Sequence, residues 1–156
     1  MRLEYFEMVD HVEELDFDAG TIRAFATVPD ESPVFDAHFP KYPIMPGVMM
    51  LEVMNQTAGF LLYLRFRRER FVFLGSIRRA RFRRMIRPGA HLESTARILS
   101  EGPGFFTAEA NLKVGDELAA DAEMVLIVQD FPTPEVREAL ARHTDVVTFS
   151  EAARID

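Results

Sequence analysis

The sequence predicts an α+β fold: one long apolar helix wrapped by a mostly antiparallel sheet of five or six strands, with a short helical extension at the C-terminus. Two observations carry this prediction. Residues 47–67 read Gly-Val-Met-Met-Leu-Glu-Val-Met-Asn-Gln-Thr-Ala-Gly-Phe-Leu-Leu-Tyr-Leu before the chain turns basic, apolar on almost every side. Such a helix is buried on most faces instead of lying on a surface. Around it, short segments rich in Val, Ile and Phe are separated by glycine and proline turns, the pattern of consecutive antiparallel strands.

The elements follow in order. Residues 3–16 suggest a short helical turn and then a strand. Asp18-Ala-Gly20 is a turn, and Thr21 to Val28 alternates as a half-buried strand does. Asp30 to Pro46 reads as a loop stiffened by Pro40, Pro43 and Pro46. Further strands are predicted over Phe71 to Phe82, His91 to Leu99, Phe105 to Val114 and Glu117 to Val128. Gly102-Pro-Gly104 and Val114-Gly-Asp116 form the hairpin turns. Pro132-Thr-Pro134 opens a short helix over Glu135 to Arg142, with Thr133 as N-cap. Residues 1–128 are expected to form one domain, with 129–156 an extension packed on it.

Composition bounds the function. The chain has 156 residues, 48% hydrophobic and 28% charged, an ordinary globular balance. No apolar run reaches the ~18–20 residues that a membrane span needs. The start, Met-Arg-Leu-Glu-Tyr-Phe-Glu, is too acidic for a secretory signal, so a cytoplasmic location is expected. Without a cysteine, disulfide and thiolate chemistry are excluded. No histidine lies at metal-ligand spacing from other donors, so no metal site is expected. The net charge of −7 hides an asymmetry: Arg65 to Arg87 holds ten arginines and one acid, Glu69. A basic stripe on an acidic protein steers acidic partners to one face. The acidic total and the lack of a nucleic-acid motif argue against nucleic acid. The alternative is a solvated face whose arginines pair with acids elsewhere.

The chemistry concentrates in one stretch. His38 and Glu52 lie fourteen positions apart, joined by a proline-stiffened loop and by Gly47 at the head of the apolar helix. Histidine titrates near working pH and suits a base. A carboxyl group flanked by Leu51 and Val53 is partly desolvated, which favours its protonated form. Gln56 falls one turn after Glu52 on the same side; it either orients that carboxyl group or caps the next layer. His11, His91 and His143 have no such context and read as surface or turn residues.

Two blocks carry a resemblance to a known family. They are His38-Phe-Pro-x-x-Pro-x-x-Pro-Gly47-Val-x-x-x-Glu52-x-x-x-Gln56 and Phe73-x-Gly75-x-x-x-Ala80-Arg-Phe-Arg-Arg84-x-x-x-Pro88-Gly89. Similarity continues through Gly115-Asp-Glu-Leu-Ala-Ala-Asp-Ala-Glu123. The chain resembles the β-hydroxyacyl-acyl-carrier-protein dehydratases of bacterial fatty acid synthesis, which have the hotdog fold. The resemblance implies that His38 removes the proton alpha to a thioester carbonyl and that Glu52 protonates the departing β-hydroxyl, directly or through a bound water. The Gly47 N–H, at a helix N-terminus, would hold the developing oxyanion. It implies a homodimer in which His38 of one subunit meets Glu52 of the other, or three such dimers in a hexamer. It implies no cofactor beyond the phosphopantetheine arm of acyl carrier protein. Arg78, Arg79, Arg81, Arg83 and Arg84 would be the docking face for that acidic carrier.

The match has departures. Where the family carries Gly-His-Phe-Pro-Gly, this chain has Ala37-His-Phe-Pro-Lys41, followed by Tyr42. The family's Pro-His-Arg-Tyr-Pro start is replaced by Glu4-Tyr-Phe-Glu-Met-Val-Asp10, and residues 129–156 run past the usual end. These departures point to a specialised acyl-chain branch. Two other functions remain open at this point: a hotdog acyl thioesterase, or an acyl-binding subunit without turnover.

Overall fold

The computed structural model describes residues 1–153; the last three residues of the predicted extension, 154–156, lie outside the described residues. A 3-10 turn at Leu3–Tyr5 precedes strands β1 (His11–Asp16) and β2 (Thr21–Thr27). Helices α1 (Pro33–Ala37) and α2 (Gly47–Arg65) come next. Four long strands follow, β3 (Phe71–Phe82), β4 (His91–Gly102), β5 (Phe105–Val114) and β6 (Glu117–Gln129). The chain then forms α3 (Pro134–Asp145), β7 (Thr148–Phe149) and a last 3-10 turn, Glu151–Ala153.

All seven strands form one sheet in the order β3-β6-β5-β4-β2-β1-β7. Neighbours are antiparallel except β7, which lies parallel to β1. The seventh strand is the difference from the sequence expectation. It is two residues long, and nothing in Thr148-Phe149 alone signals a strand. The other unexpected element is α1, in the segment read as loop. Its signal is nonetheless local: the Ser32 side chain accepts from the Val34 N–H and Pro33 occupies the first turn. Serine before proline is a helix start, because proline has no N–H to leave unpaired there.

The sheet curls around α2. Met50, Val53, Met54, Thr57, Ala58 and Phe60 through Leu64 are all buried. They face Ala and Leu side chains of the sheet, among them Ala108, Ala110, Leu112, Ala120, Ala122 and Leu126. Small residues on the inner strands let the sheet approach a thick, Met- and Leu-rich helix at ordinary packing density. The one buried polar position on that face, Thr57, binds the Val53 carbonyl and the Ser94 hydroxyl, each at 2.8 Å.

Hairpin chemistry sets the registers. Gly102 pairs with Phe105 across Pro103-Gly104, and Gly104 sits at φ 75°, the positive angle that a type II turn requires after proline. In β3 the register shifts between Leu74 and Ser76 and again between Ile77 and Arg79. Gly75 permits the first shift, since a Cβ there would lie 2.6 Å from Ile127 Cγ1. Beyond the shifts, Ala80 and Phe82 pair with the buried Ala122 and Ala120, while Arg79 and Arg81 pair with Glu123 and Asp121. Ala80 is half-buried, whereas Phe82 keeps 46% of its surface exposed, as Arg79 and Arg81 also stay exposed.

The extension runs back along the barrel-like sheet. Thr133 caps α3 by accepting from the Val136 N–H, as the sequence predicts, and its bond to Glu135 holds that carboxyl below the usual range. Arg137–Glu69 at 2.6 Å and Arg68–Asp145 at 3.1 Å tie α3 to the segment after α2. Leu62, fully enclosed in the last turn of α2, tests the packing argument. Leu62→Ala should lower stability by about 2–5 kcal/mol, read as a fall in the urea midpoint with an unchanged slope.

Candidate functional site

His38 is the C-cap of α1, and its backbone is held on both sides: its N–H donates to Val34 O and its carbonyl accepts from the Ile44 N–H at 3.0 Å. The ring is half-buried. Its Nδ1 lies 3.3 Å from the Ile44 carbonyl, a group that only accepts, so the proton belongs on Nδ1. In the neutral ring this leaves the lone pair on Nε2, the form a base requires. The Phe39 ring stacks on the imidazole at 4.3 Å between centroids.

The turn that follows explains Lys41 and Tyr42. The Tyr42 N–H donates to Phe39 O at 2.9 Å, closing the four residues Phe39-Pro40-Lys41-Tyr42. Proline in second place and φ 66° at Lys41 are the marks of a type II turn. The third place of such a turn wants glycine, which the resembling family has there; this chain puts an L-residue in the left-handed region. Tyr42 is clamped from outside by Arg87, whose guanidinium carbon lies 4.2 Å from the ring centroid.

Gly47 opens α2. The N–H groups of Met49 and Met50 turn back to Pro46 O, whereas Gly47 and Val48 have no carbonyl within the helix to reach. The helix dipole is positive at this end. The Phe82 ring lies 3.4 Å from where a Gly47 Cβ would stand, so a side chain there would press on the ring.

Glu52 lies one and a half turns further along, half-buried, and each of its oxygens is held. Asn55 Nδ2 donates to Oε2 at 3.0 Å and Gln56 Nε2 to Oε1 at 2.9 Å. Gln56 does both things the sequence left open. Its Nε2 also donates to Phe6 O at 2.6 Å, and its Oε1 accepts from the Met8 N–H at 3.2 Å. It therefore orients the carboxyl group and caps the N-terminal segment. That segment is stiffened by a backbone bridge between Arg2 and Glu7, and the Arg2 guanidinium holds the Glu7 carboxyl below its usual range.

Glu52, Asn55 and Gln56 form the polar end of a groove of about 240 Å³. Its walls are apolar, with Phe60, Phe73, Leu74 and Leu126 from α2 and the sheet and Leu140 from α3. Gly59 lies on its floor, with nothing within 4 Å of a Cβ added there. Burial raises the pKa of Tyr63, deeper in the same groove. His38 does not line this groove, and it shares no hydrogen bond with Glu52 among the described residues. A larger depression of about 570 Å³ on the sheet is walled by the ion pairs Arg23–Glu14 and Arg97–Glu109 and holds none of the predicted site residues.

Two residues escaped the sequence reading. Asn55 was not singled out, although at three positions after Glu52 it falls within helical reach. His143, expected on the surface or in a turn, is half-buried in the last turn of α3, with Nε2 3.3 Å from Gln56 Oε1. The correction has a plain cause: its partner is 87 residues away in the chain. His11 likewise lies in β1, against Thr148 and Glu13.

The arginine stripe resolves into pairs. Arg78 meets Glu123, Arg79 and Arg83 share Asp121, and Arg84 meets Glu117, all acids of β6. Arg81 has no acidic partner among the described residues. Five arginines against three carboxylates leave this outer face with a surplus of two positive charges. Among the described residues no group of three or more acidic, histidine or cysteine side chains is arranged to hold a metal ion. Among the described residues no helix is long and apolar enough to cross a membrane.

With that geometry in place, comparison with known proteins is direct. The FabA-like domain family matches residues 2–123. The chain belongs to the FabA-like family. A Thermotoga maritima relative, 3-hydroxyacyl-[acyl-carrier-protein] dehydratase FabZ, is 42% identical over 124 residues, spanning 80% of this chain and 88% of that one. The protein of the same description from Protochlamydia amoebophila is 36% identical over 127 residues, 80% of this chain and 81% of its own. Among solved structures, a conserved protein of Pseudomonas aeruginosa superposes with a TM-score of 0.62 at 20% identity, covering 80% of this chain and 92% of that chain. A Ralstonia eutropha protein, described as a candidate thioesterase, gives a TM-score of 0.60 at 17% identity over 74% of this chain and 82% of that one. These two likenesses bear on the fold alone, which is the hotdog fold.

The turn at Lys41 yields a test. Lys41→Gly relieves a left-handed L-residue and should raise stability by about 0.5–1 kcal/mol, a gain of roughly 1–4 °C in melting temperature. Calorimetry of the two proteins measures it.

Proposed function

We propose that this chain is a (3R)-hydroxyacyl-[acyl-carrier-protein] dehydratase of fatty acid or lipid biosynthesis. It eliminates water from a 3-hydroxyacyl thioester to give the trans-2-enoyl thioester. The observation that carries the reading is a histidine with Nε2 free, set before the N-terminus of a helix whose Glu52 heads an apolar groove. Relatives bearing the dehydratase name cover most of the chain, and they support the same reading.

The reaction follows from the groups. His38 Nε2 takes the proton from C2, and the electron pair moves toward the thioester carbonyl. The Gly47 N–H, unpaired at the positive end of α2, stabilises the oxygen as it gains charge. The C2=C3 bond forms as the C3–O bond breaks, and Glu52 gives the leaving hydroxyl its proton, so water departs. Each Glu52 oxygen has two lone-pair sites, and the amides of Asn55 and Gln56 take one apiece. One remaining site can carry the proton. Proton exchange with solvent resets His38 and Glu52, so no redox group or metal enters the balance.

His38 and Glu52 work across a dimer in this reading. Within one chain they line no common groove. β3 lies at the edge of the sheet and exposes Phe73 by 37%, Ile77 by 43% and Phe82 by 46%. A long apolar edge strand is a template for pairing with another chain, and a second copy placed by two-fold symmetry covers both edges at once. Three dimers in a hexamer are compatible with this arrangement. The substrate arrives on the phosphopantetheine of acyl carrier protein, and the surplus charge around Arg81 suits that acidic carrier. The reading needs no cofactor and fits a cytoplasmic location. Residues 129–156 act as an extension of the domain that residues 1–128 form.

Incubation with a trans-2-enoyl thioester reads the reverse reaction as loss of the conjugated absorbance. Wild type should be active, and His38→Ala and Glu52→Gln should each lose about 100-fold or more. A folded but inactive wild type overturns the enzyme reading; release of free acid and thiol would instead signal a thioesterase. For the docking face, Arg81→Glu should weaken carrier-protein binding several-fold, and the loss should shrink as salt rises. Titration calorimetry at two ionic strengths checks this, and unchanged affinity removes Arg81 from the docking surface.

A further inference from the structure

The family match ends at residue 123, yet the Glu52 groove does not. One wall of it, Leu140 and His143, comes from α3. We propose that His143 is a positioning residue for the dehydration reaction, acting on Glu52 through Gln56. The proposal rests on the dehydratase reading and extends it to a helix that lies beyond the residues matched to the family.

The argument runs along a chain of hydrogen bonds. An amide side chain can turn about its last bond and exchange its oxygen and nitrogen, so Gln56 could present either atom to Glu52. Only the nitrogen end can donate to a carboxylate oxygen. Two donors fix that choice by binding the oxygen end: the Met8 N–H at 3.2 Å and His143 Nε2 at 3.3 Å. An amide oxygen has two lone pairs, and these two donors occupy both. The nitrogen end then has two acceptors, Phe6 O at 2.6 Å and Glu52 Oε1 at 2.9 Å, one for each of its hydrogens. All four hydrogen-bonding positions of Gln56 are thus filled, and its orientation is set from three separate parts of the chain.

Removing His143 leaves one lone pair of the amide oxygen without its donor. The carboxyl group that must face the leaving hydroxyl then loses part of its support. Because the acyl chain contacts the apolar walls, this change should act on the chemical step and spare binding. α3 is itself held independently by Arg137–Glu69 and Arg68–Asp145, so loss of the imidazole need not release the helix.

The chain contains two glutamines, Gln56 and Gln129, so a sample labelled with ¹⁵N-glutamine gives two side-chain amide pairs in a proton–nitrogen spectrum. His143→Ala should move the Gln56 pair and leave the Gln129 pair in place. In the enoyl assay it should lower kcat about tenfold with KM within about twofold, the loss expected for one hydrogen bond in the transition state. His143→Gln, which retains an N–H donor and adds a third amide pair of its own, should restore kcat and return the Gln56 pair to its wild-type place. Arg142→Ala, an exposed neighbour on α3, should change neither. If His143→Ala does not fold, His143→Leu keeps the volume and takes its place. An unmoved Gln56 pair overturns the proposal. So does a glutamine variant as impaired as the alanine variant, or a loss confined to KM. If wild type shows no dehydration at all, the dehydratase reading falls, while the amide spectrum still decides whether His143 sets Gln56.

Discussion

Enclosure of α2 is the constraint from which the other features follow. A nineteen-residue helix with ten buried side chains has almost no face to give to water. Sheet strands rich in alanine close around it, and between its first turns and its last residue the partly exposed positions are few: Glu52, Asn55, Gln56 and Gly59. In the proposed reading a substrate reaches the helix along these four positions and at Gly47. The groove is in this sense the remainder of a packing problem, and its polar head sits where the helix could not be made wholly apolar.

The same enclosure explains the division of labour at the site. In the proposed mechanism the positive end of α2 must remain accessible for the Gly47 N–H to bind an oxyanion, and the chain approaches that end through a proline-rich loop instead of a strand. That loop carries His38, fixed by Ile44 three residues before Gly47. The carboxyl group stands on the helix itself and is held by amides. One partner is thus set by backbone and the other by side chains, and the two are oriented by separate devices.

Local patterns in the sequence specified a large part of this. The apolar run foretold a buried helix, the hairpin turns foretold the long strands, and Thr133 before Pro134 foretold the cap of α3. His38, Gly47 and Glu52 stood out because their surroundings are unusual over a short span. What did not stand out depends on distant partners. The arginines around Ala80 form one charge run in sequence, but strand register brings them against Asp121, Glu117 and Glu123, and composition cannot see register. His143 carries no local mark, since its meaning lies in Gln56. β7 is two residues whose pairing is decided by β1. α1 is the exception: Ser32-Pro33 is a local start signal that the neighbouring prolines obscured.

The parallel pair of β7 with β1 joins His11 to Thr148 and Val12 to Phe149, so one edge of the sheet is sealed by residues from opposite ends of the chain. During synthesis the N-terminal strand emerges first. At roughly 5–20 residues per second, it waits on the order of ten seconds for its neighbour. Through that interval β1 is an open edge, and α3 has not yet reached the groove. The last edge of the sheet can be fastened only once nearly the whole chain is out.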